Sequence, residues 1–310
     1  MESERRSRFR GCLLGLAAGD ALGTTLEFRP PGSFAPIREM RGGGPFNLRP
    51  GQWTDDTSMA LCLADSLASC QGFDALDQMK RYLRWYRDGL WSSTGHCFDI
   101  GNTVRTALER FERRQDPFSG STDPRSAGNG SIMRLAPVPM FFARRPEDAV
   151  KYCALSSQTT HSARLAVDAC RYFGVLLVGA LDGVSKDQLL ADHYHPIPGF
   201  WRSDPLAPEI DAIAQGSFRR RQPPQIRGSG FVVESLEAAL WAFYRSDDFR
   251  QGCLMAANLG DDADTTAAVF GQLAGAYYGD EGIPSDWRSS LAFRDEIQAL
   301  ADRLLELSET

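Results

Sequence analysis

Apolar residues at helical spacing recur along almost the whole 310-residue chain, and this repeat limits its fold more than any other feature. Segments near 57–70, 74–87, 102–114, 147–156, 162–181, 234–245, 248–257, 265–278 and 287–307 all carry the i, i+3, i+4 pattern of a helix with one buried face. The alternation of a half-buried strand is nearly absent, and Phe231-Val232-Val233 is too short to count as one. The interrupted stretches 119–130, 191–208 and 222–230 are too short to separate two cores. The pattern predicts one all-α domain over residues 1–310, with its chemistry on loops and helix starts.

An earlier helical run places Phe9, Leu13, Leu16, Ala17 and Ala21 on one face, with Gly11, Gly15 and Gly19 recurring every four residues. Each glycine weakens an isolated helix by about 1 kcal/mol relative to alanine. Three on one face therefore imply close approach of another backbone or of a ligand. Gly23 ends the run, Glu27 follows in an irregular segment, and residues 30–51 form a Pro/Gly-rich loop.

Two helix starts are far more acidic than capping requires. Asp261, Asp262 and Asp264 lie with Thr265 and Thr266 just before the apolar run of Ala267, Phe270 and Leu273. Thr54, Asp55, Asp56 and Thr57 open the run of Met59, Ala60 and Leu63. A helix start needs one capping oxygen and gains from one acid in its first turn; more acids than that repel unless a cation lies between them. Consecutive side chains inside a helix point about 100° apart, whereas at a helix start the backbone is still turning and they can converge. Carboxylate and hydroxyl oxygens suit magnesium, calcium or manganese rather than zinc or copper. Two such half-sites suit a two-metal centre; taken singly, each is also compatible with an ordinary N-cap.

Composition narrows the class. A net charge of −6 argues against a nucleic-acid surface, and Arg219-Arg220-Arg221 reads as a solvated loop. The seven cysteines are scattered without C-x-x-C spacing, so neither a disulfide framework nor a zinc cluster follows and a reducing cytoplasm fits. Arg5, Arg6, Arg8 and Arg10 before Cys12–Ala18 imitate a secretory signal, but the apolar run is short and Asp20 closes it. No stretch approaches the roughly 20 apolar residues of a membrane span. The expectation is a soluble cytoplasmic protein that engages neither membrane nor nucleic acid.

Three further stretches could carry chemistry. Gly128-Asn129-Gly130-Ser131-Ile132-Met133-Arg134 joins a flexible turn to an arginine, which suits an anion such as phosphate as well as a plain Asn-Gly turn. Asp99, between Phe98 and Ile100, is either an acid with a raised pKa fit for proton transfer or a cap for the helix of 102–114. His161, one of four histidines, stands at a helix start, where a lone histidine is more often a hydrogen-bonded structural residue than a functional one. His193 and His195, in a Pro-rich loop, receive no role.

In this order the pieces resemble the ADP-ribosylglycohydrolase family. The matching stretches are Gly11 to Gly23, Trp53-Thr-Asp-Asp-Thr57, Phe98-Asp-Ile-Gly101, Gly128 to Arg134, Thr160-His161 and Gly260 to Thr266, which together span most of the chain. The resemblance implies an orthogonal all-α bundle with a cleft holding two divalent cations, Mg2+ or Mn2+. Thr54, Asp55 and Asp56 would be metal ligands from one side and Asp262, Asp264 and Thr265 from the other, while Asp261 is an acid the family pattern does not require. Glu27 matches a glutamate that serine-specific members use near the metals. Gly128, Asn129, Gly130, Ser131, Met133 and Arg134 would hold the ADP-ribose phosphates and ribose, with His161 lining the same cleft and Phe231 near the adenosine.

The Phe-Asp-Ile-Gly stretch looks like the arginine-directed, nitrogenase-regulating branch. That reading has Asp99, supported by Asp55, Asp56 and Glu27, serve the break of the N-glycosidic bond between ribose and guanidinium, releasing ADP-ribose from a modified protein. The alternatives are hydrolysis of ADP-ribosyl-serine or another ADP-ribose conjugate, and an immunity protein that blocks an ADP-ribosylating toxin. A phosphoesterase using the same metals would want histidine ligands that both acidic stretches lack.

Overall fold

The computed structural model describes residues 2–309. Helix α1 (Glu2–Gly23) carries the glycine repeat and starts with Glu2 and Glu4 in its first turn, where the helix dipole favours acids. A loop then leads to α2 (Asp55–Cys70), α3 (Ala75–Asp88) and α4 (Asn102–Arg114). Asp74 caps α3 by accepting from the Asp77 N–H at 2.9 Å, and Gly89 in the left-handed region ends that helix. Prolines open α5 (Pro137–Phe141) and α6 (Pro146–Gln158), where a missing N–H costs nothing. The apolar α7 (Arg164–Leu181) is followed by the short α8 (Lys186–Leu189), α9 (Phe200–Ser203) and α10 (Pro208–Ala214). The chain ends with α11 (Val232–Arg245), α12 (Phe249–Ala257), α13 (Ala263–Tyr278), α14 (Ser285–Ser290) and α15 (Arg294–Ser308).

The expected all-α class holds: pairing outside the helices is confined, among the described residues, to isolated bridges such as Gly128 with Phe231. Two local expectations do not hold. The helical pattern over 287–307 is two helices, broken where Leu291 is extended and Phe293 takes a left-handed φ of 49°. The break is tertiary in origin, since Ala292 donates its N–H to the Gly51 carbonyl and the Trp53 indole donates to the Ala292 carbonyl. The interrupted stretch 191–208 contains α9; Val232-Val233, too short to be assigned as a strand, open α11. Buried apolar side chains from Phe9 to Leu307 form one continuous cluster. No helix among the described residues is long and apolar enough to cross a membrane.

The pairing of α1 with α13 sets the centre of the fold. Gly11, Gly15, Gly19 and Gly23 lie against Gly275, Gly271, Ala267 and Ala263 in turn, so the helices are antiparallel. A methyl at any of these α1 glycines would overlap a carbonyl of α13, and one at Gly271 or Gly275 would overlap α1. Here the backbones touch, as the four-residue glycine spacing predicts. The consequence is functional: the C-terminal end of α1, carrying Asp20, is held against the acidic start of α13.

Candidate active site

Helix α2 begins beside that junction. Its first residue follows Thr54, whose hydroxyl does not cap the helix. Asp20 of α1 does so from outside. It accepts from the N–H groups of Thr54 (2.9 Å) and Thr57 (3.0 Å) and from both their hydroxyls, at 2.9 and 2.6 Å. Glu27 does the same for α13, accepting from the Ala263 N–H at 3.0 Å. With each start capped by a distant acid, the local acids are free to face one another. Thr54 Oγ1 lies 3.3 Å from Asp264 Oδ2 although the residues are 210 apart in sequence, and Thr265 Oγ1 lies 3.4 Å from Asp56 Oδ2. Carboxylate oxygens of Glu27, Asp262 and Asp264 lie within 4.8 Å of one another.

The electrostatics of this cluster are unfavourable as the protein alone presents it. Burial, followed by the charges of Asp262 and Asp99, pushes Glu27 up to about 8. Burial, with Asp20 and Asp262, pushes Asp99 up to about 7. Asp55, Asp56 and Asp264 are raised well above the usual carboxylate range, first by burial and then by neighbouring acids. Asp262 is raised by burial against the opposing hydrogen bond from the Asn129 amide, 2.9 Å away. No lysine or arginine pairs with any of these acids among the described residues. The buried Asp56 Oδ1 has no hydrogen-bond partner among the described residues. An orphaned carboxylate oxygen in an all-oxygen donor set fits a hard divalent cation, which would remove the repulsion and satisfy the oxygen.

The acids form one side of a cavity of about 350 Å³. Asp55, Asp262, Asp264, Thr265 and Glu27 line it, as do Asp99 and the residues opening α4. Asp99 has a left-handed φ of 59°, and the N-cap position of α4 belongs to Gly101, without any side-chain cap. The capping alternative for Asp99 therefore falls. Its proximity to the acid cluster, however, was not evident from its position in the chain.

The far wall is the turn Gly128-Asn129-Gly130, with Met133, His161 and Gly230. A Cβ at Gly130 would come within 2.9 Å of His161 Cε1, so only glycine lets this turn lie on the imidazole. The N–H groups of Gly130 and Ser131 bond to no acceptor among the described residues, as a turn receiving an anion requires. His161 is buried and held neutral, its pKa lowered to about 3 by burial and by Arg134. Phe231 stands 40% exposed, joined to Gly128 through a backbone bridge.

Arg134 is not where the sequence reading expects it. Instead of facing the cleft, it is fully buried behind the turn. Its guanidinium donates to the Gly130 carbonyl (2.6 Å) and to Thr160 Oγ1 (2.7 Å) and lies 4.6 Å from the Tyr82 ring centre. The turn curls back over its own arginine, so the charge is spent inside the protein. The Ser131 side chain also turns inward, its hydroxyl 2.9 Å from that of Ser157. Asp20, which caps α2 beside the acidic cluster, is the residue to which sequence reasoning gave no role. Its signal was available: the one carboxylate within the apolar, glycine-striped run from Gly11 to Gly23.

Over residues 1–310 the chain matches the family described as ADP-ribosylglycohydrolase. The chain belongs to the ADP-ribosylglycohydrolase family. It is 41% identical to "ADP-ribosylarginine hydrolase Tri1" of Serratia proteamaculans (strain 568), over 99% of this chain and 81% of that protein. It is 45% identical to the protein of the same name from Pseudomonas putida (strain GB-1), over 96% of this chain and 78% of that one. A solved structure, "ADP-ribosylglycohydrolase-related protein complex", superposes with a TM-score of 0.87 at 45% identity and 99% coverage of both chains. This ADP-ribosylglycohydrolase thus has the family's all-α architecture throughout, with an acidic cluster able to hold a cation at the meeting point of α1, α2 and α13.

Proposed function

We propose that the protein hydrolyses the N-glycosidic bond of ADP-ribosylated arginine side chains, releasing ADP-ribose and the unmodified residue. The observation that carries this reading is the meeting of buried, unpaired acids across one cleft from a glycine turn with free N–H groups. The names of the two relatives, both ADP-ribosylarginine hydrolases, support the linkage. The partner is then an ADP-ribosylated protein, and the setting a cytoplasmic one.

In this reading Thr54, Asp55, Asp56, Asp262, Asp264 and Thr265 hold two divalent cations, magnesium or manganese, with Glu27 beside them. When bound, the cations neutralise the acids and supply Lewis acidity at the ribose. The turn at Gly128–Gly130 and the backbone of Ser131 receive the phosphates, Met133 and His161 line the ribose, and Phe231 faces the adenosine. Asp99, with a pKa near 7, moves the proton. Water adds to the anomeric carbon, and the carbon–nitrogen bond breaks with its electron pair going to the guanidine. The proton lost by water reaches that nitrogen through the Asp99 carboxylate.

Glu27, placed within the acidic cluster, favours one second reading, the ADP-ribosyl-serine linkage, because serine-specific relatives use a glutamate there. Both readings are tested by incubating the protein with ADP-ribosyl-arginine and ADP-ribosyl-serine peptides, with and without Mg2+ or Mn2+. Metal-dependent release of ADP-ribose from the arginine peptide is expected. Release from the serine peptide alone would transfer the assignment, and release from neither would leave a binding protein that acts by blockade, for instance of an ADP-ribosylating toxin.

A further inference from the structure

The buried cluster behind the glycine turn has a use that its burial conceals. Thr160 Oγ1 has two partners among the described residues: the Arg134 guanidinium at 2.7 Å and His161 Nδ1 at 2.9 Å. A guanidinium is a donor and never an acceptor. One lone pair of the hydroxyl is thereby occupied, and the hydroxyl proton needs an acceptor of its own. Thr160 and Arg134 are fully buried, so no solvent supplies one. Nδ1 of His161 is the acceptor in reach. Were Nδ1 protonated instead, two donors would converge on the hydroxyl and its proton would be stranded, a state that buried polar groups avoid.

The opposite edge of the ring faces the ligand. Nε2 has no partner among the described residues, and it is the atom nearest to a Cβ built at Gly128, at 3.5 Å. The ring lines the cavity directly beneath the turn. We propose that Arg134, acting through the Thr160 hydroxyl, fixes His161 as the neutral Nε2–H tautomer, so that His161 serves the bound ligand as a hydrogen-bond donor to a ribose or phosphate oxygen. Arg134 and Thr160 are positioning residues in this scheme, and they touch no substrate. The positive charge of Arg134 also disfavours imidazolium, in keeping with the lowered pKa of His161. His161 is therefore excluded as a proton carrier, and that task is left to Asp99. The nature of the ligand rests on the proposed function, whereas the tautomer does not.

The test is a long-range 15N–1H correlation spectrum of the 15N-labelled protein, which has four histidines. The His161 signals are identified by their loss in His161→Gln. The wild-type protein is expected to show the neutral Nε2–H pattern at pH 7 and to keep it at pH 5. An Nδ1–H pattern, or titration of this ring near pH 6.5, would overturn the proposal without any variant. Thr160→Val should shift the ring toward Nδ1–H and weaken ADP-ribose binding by about tenfold, the loss of one hydrogen bond. Thr160→Ser, which keeps the hydroxyl, should restore both. Unchanged tautomer and affinity in a folded Thr160→Val would reduce Thr160 to packing. A wild-type protein that shows the Nε2–H ring but binds no ADP-ribose would instead count against the proposed function.

Discussion

The two walls of the cleft both bury charge, but they answer it in opposite ways. On one wall, acids from α1, α2 and α13 converge, and among the described residues no lysine or arginine pairs with them and Asp56 Oδ1 has no partner. On the other wall Arg134 is equally buried, yet both terminal nitrogens of its guanidinium donate, to a carbonyl and a hydroxyl, and the group lies on an aromatic face, with Nε alone left unpartnered among the described residues. Burying an unpaired charge is costly, and burying a hydrogen-bonded one much less so. The unanswered charge therefore marks where something must bind, whereas the answered charge marks internal structure. Presence of a charged residue in a motif does not separate these cases; the state of its partners does.

The largest expected effect comes from breaking the unanswered wall. Asp56→Asn should lower turnover on the order of 10³-fold, since a bound cation contributes several kcal/mol at the transition state. In chelator the same variant should melt at a higher temperature than wild type, because one repelling, unpartnered carboxylate is gone. A variant that is inactive and also less stable in chelator would show that Asp56 is structural, and the contrast between the walls would fail.

Asp99→Asn comes next. Loss of a proton-transfer group costs about 10²–10⁴-fold in rate, while ADP-ribose affinity and the thermal shift caused by Mn2+ should persist. Turnover near the wild-type level would remove Asp99 from the chemistry.

On the answered wall the expectation is reversed. Arg134→Met should destabilise the fold by about 3 kcal/mol, through lost charge-assisted hydrogen bonds to the turn and to Thr160. An Arg134→Met protein as stable as wild type would instead show that these buried bonds do not hold the turn in place.

The smallest effect is in pH dependence. Glu27 and Asp99 have folded-state pKa values of about 8 and about 7, above their unfolded values near 4. Between those limits the folded, metal-free protein holds protons that the unfolded chain has released. The contribution of these two groups is thus full below about pH 4 and declines as pH rises toward 8, by at most about 1.4 kcal/mol per group and pH unit. His161 works in the other sense, because its folded pKa of about 3 lies below the unfolded value; its contribution is lost as pH falls below about 6.5. From pH 6.5 to 8 the carboxylates act alone. Calorimetry in chelator should show the melting temperature falling over that interval, and the gain from Mg2+ or Mn2+ growing with it. A metal effect independent of pH there would mean that the cation displaces no protons from these acids.

Much of this was legible in the chain. The helical period and the glycine spacing of Gly11, Gly15 and Gly19 are local patterns tied to a repeating geometry, so they foretold the all-α fold and the backbone contact of α1. The surplus of acids at Thr54–Asp56 and Asp262–Asp264 exceeded any local need, which is why it pointed to a shared site. The break between α14 and α15 was illegible because a hydrogen bond from the Ala292 N–H to the carbonyl of Gly51, far away in sequence, imposes it.

Sequence alone thus determined which residue types stood ready: oxygen ligands at two helix starts, a glycine turn, a single acid between apolar neighbours. Only the tertiary structure decided their allegiance. Asp20, which looked like the end of an apolar run, became the cap of α2 because the α1–α13 contact carries it there. Arg134, which looked like a ligand for phosphate, was claimed from behind by Gly130 and Thr160. The physical reason is common to both. A residue type fixes what a side chain can bond to, but direction and burial, set by elements distant in sequence, fix what it does bond to.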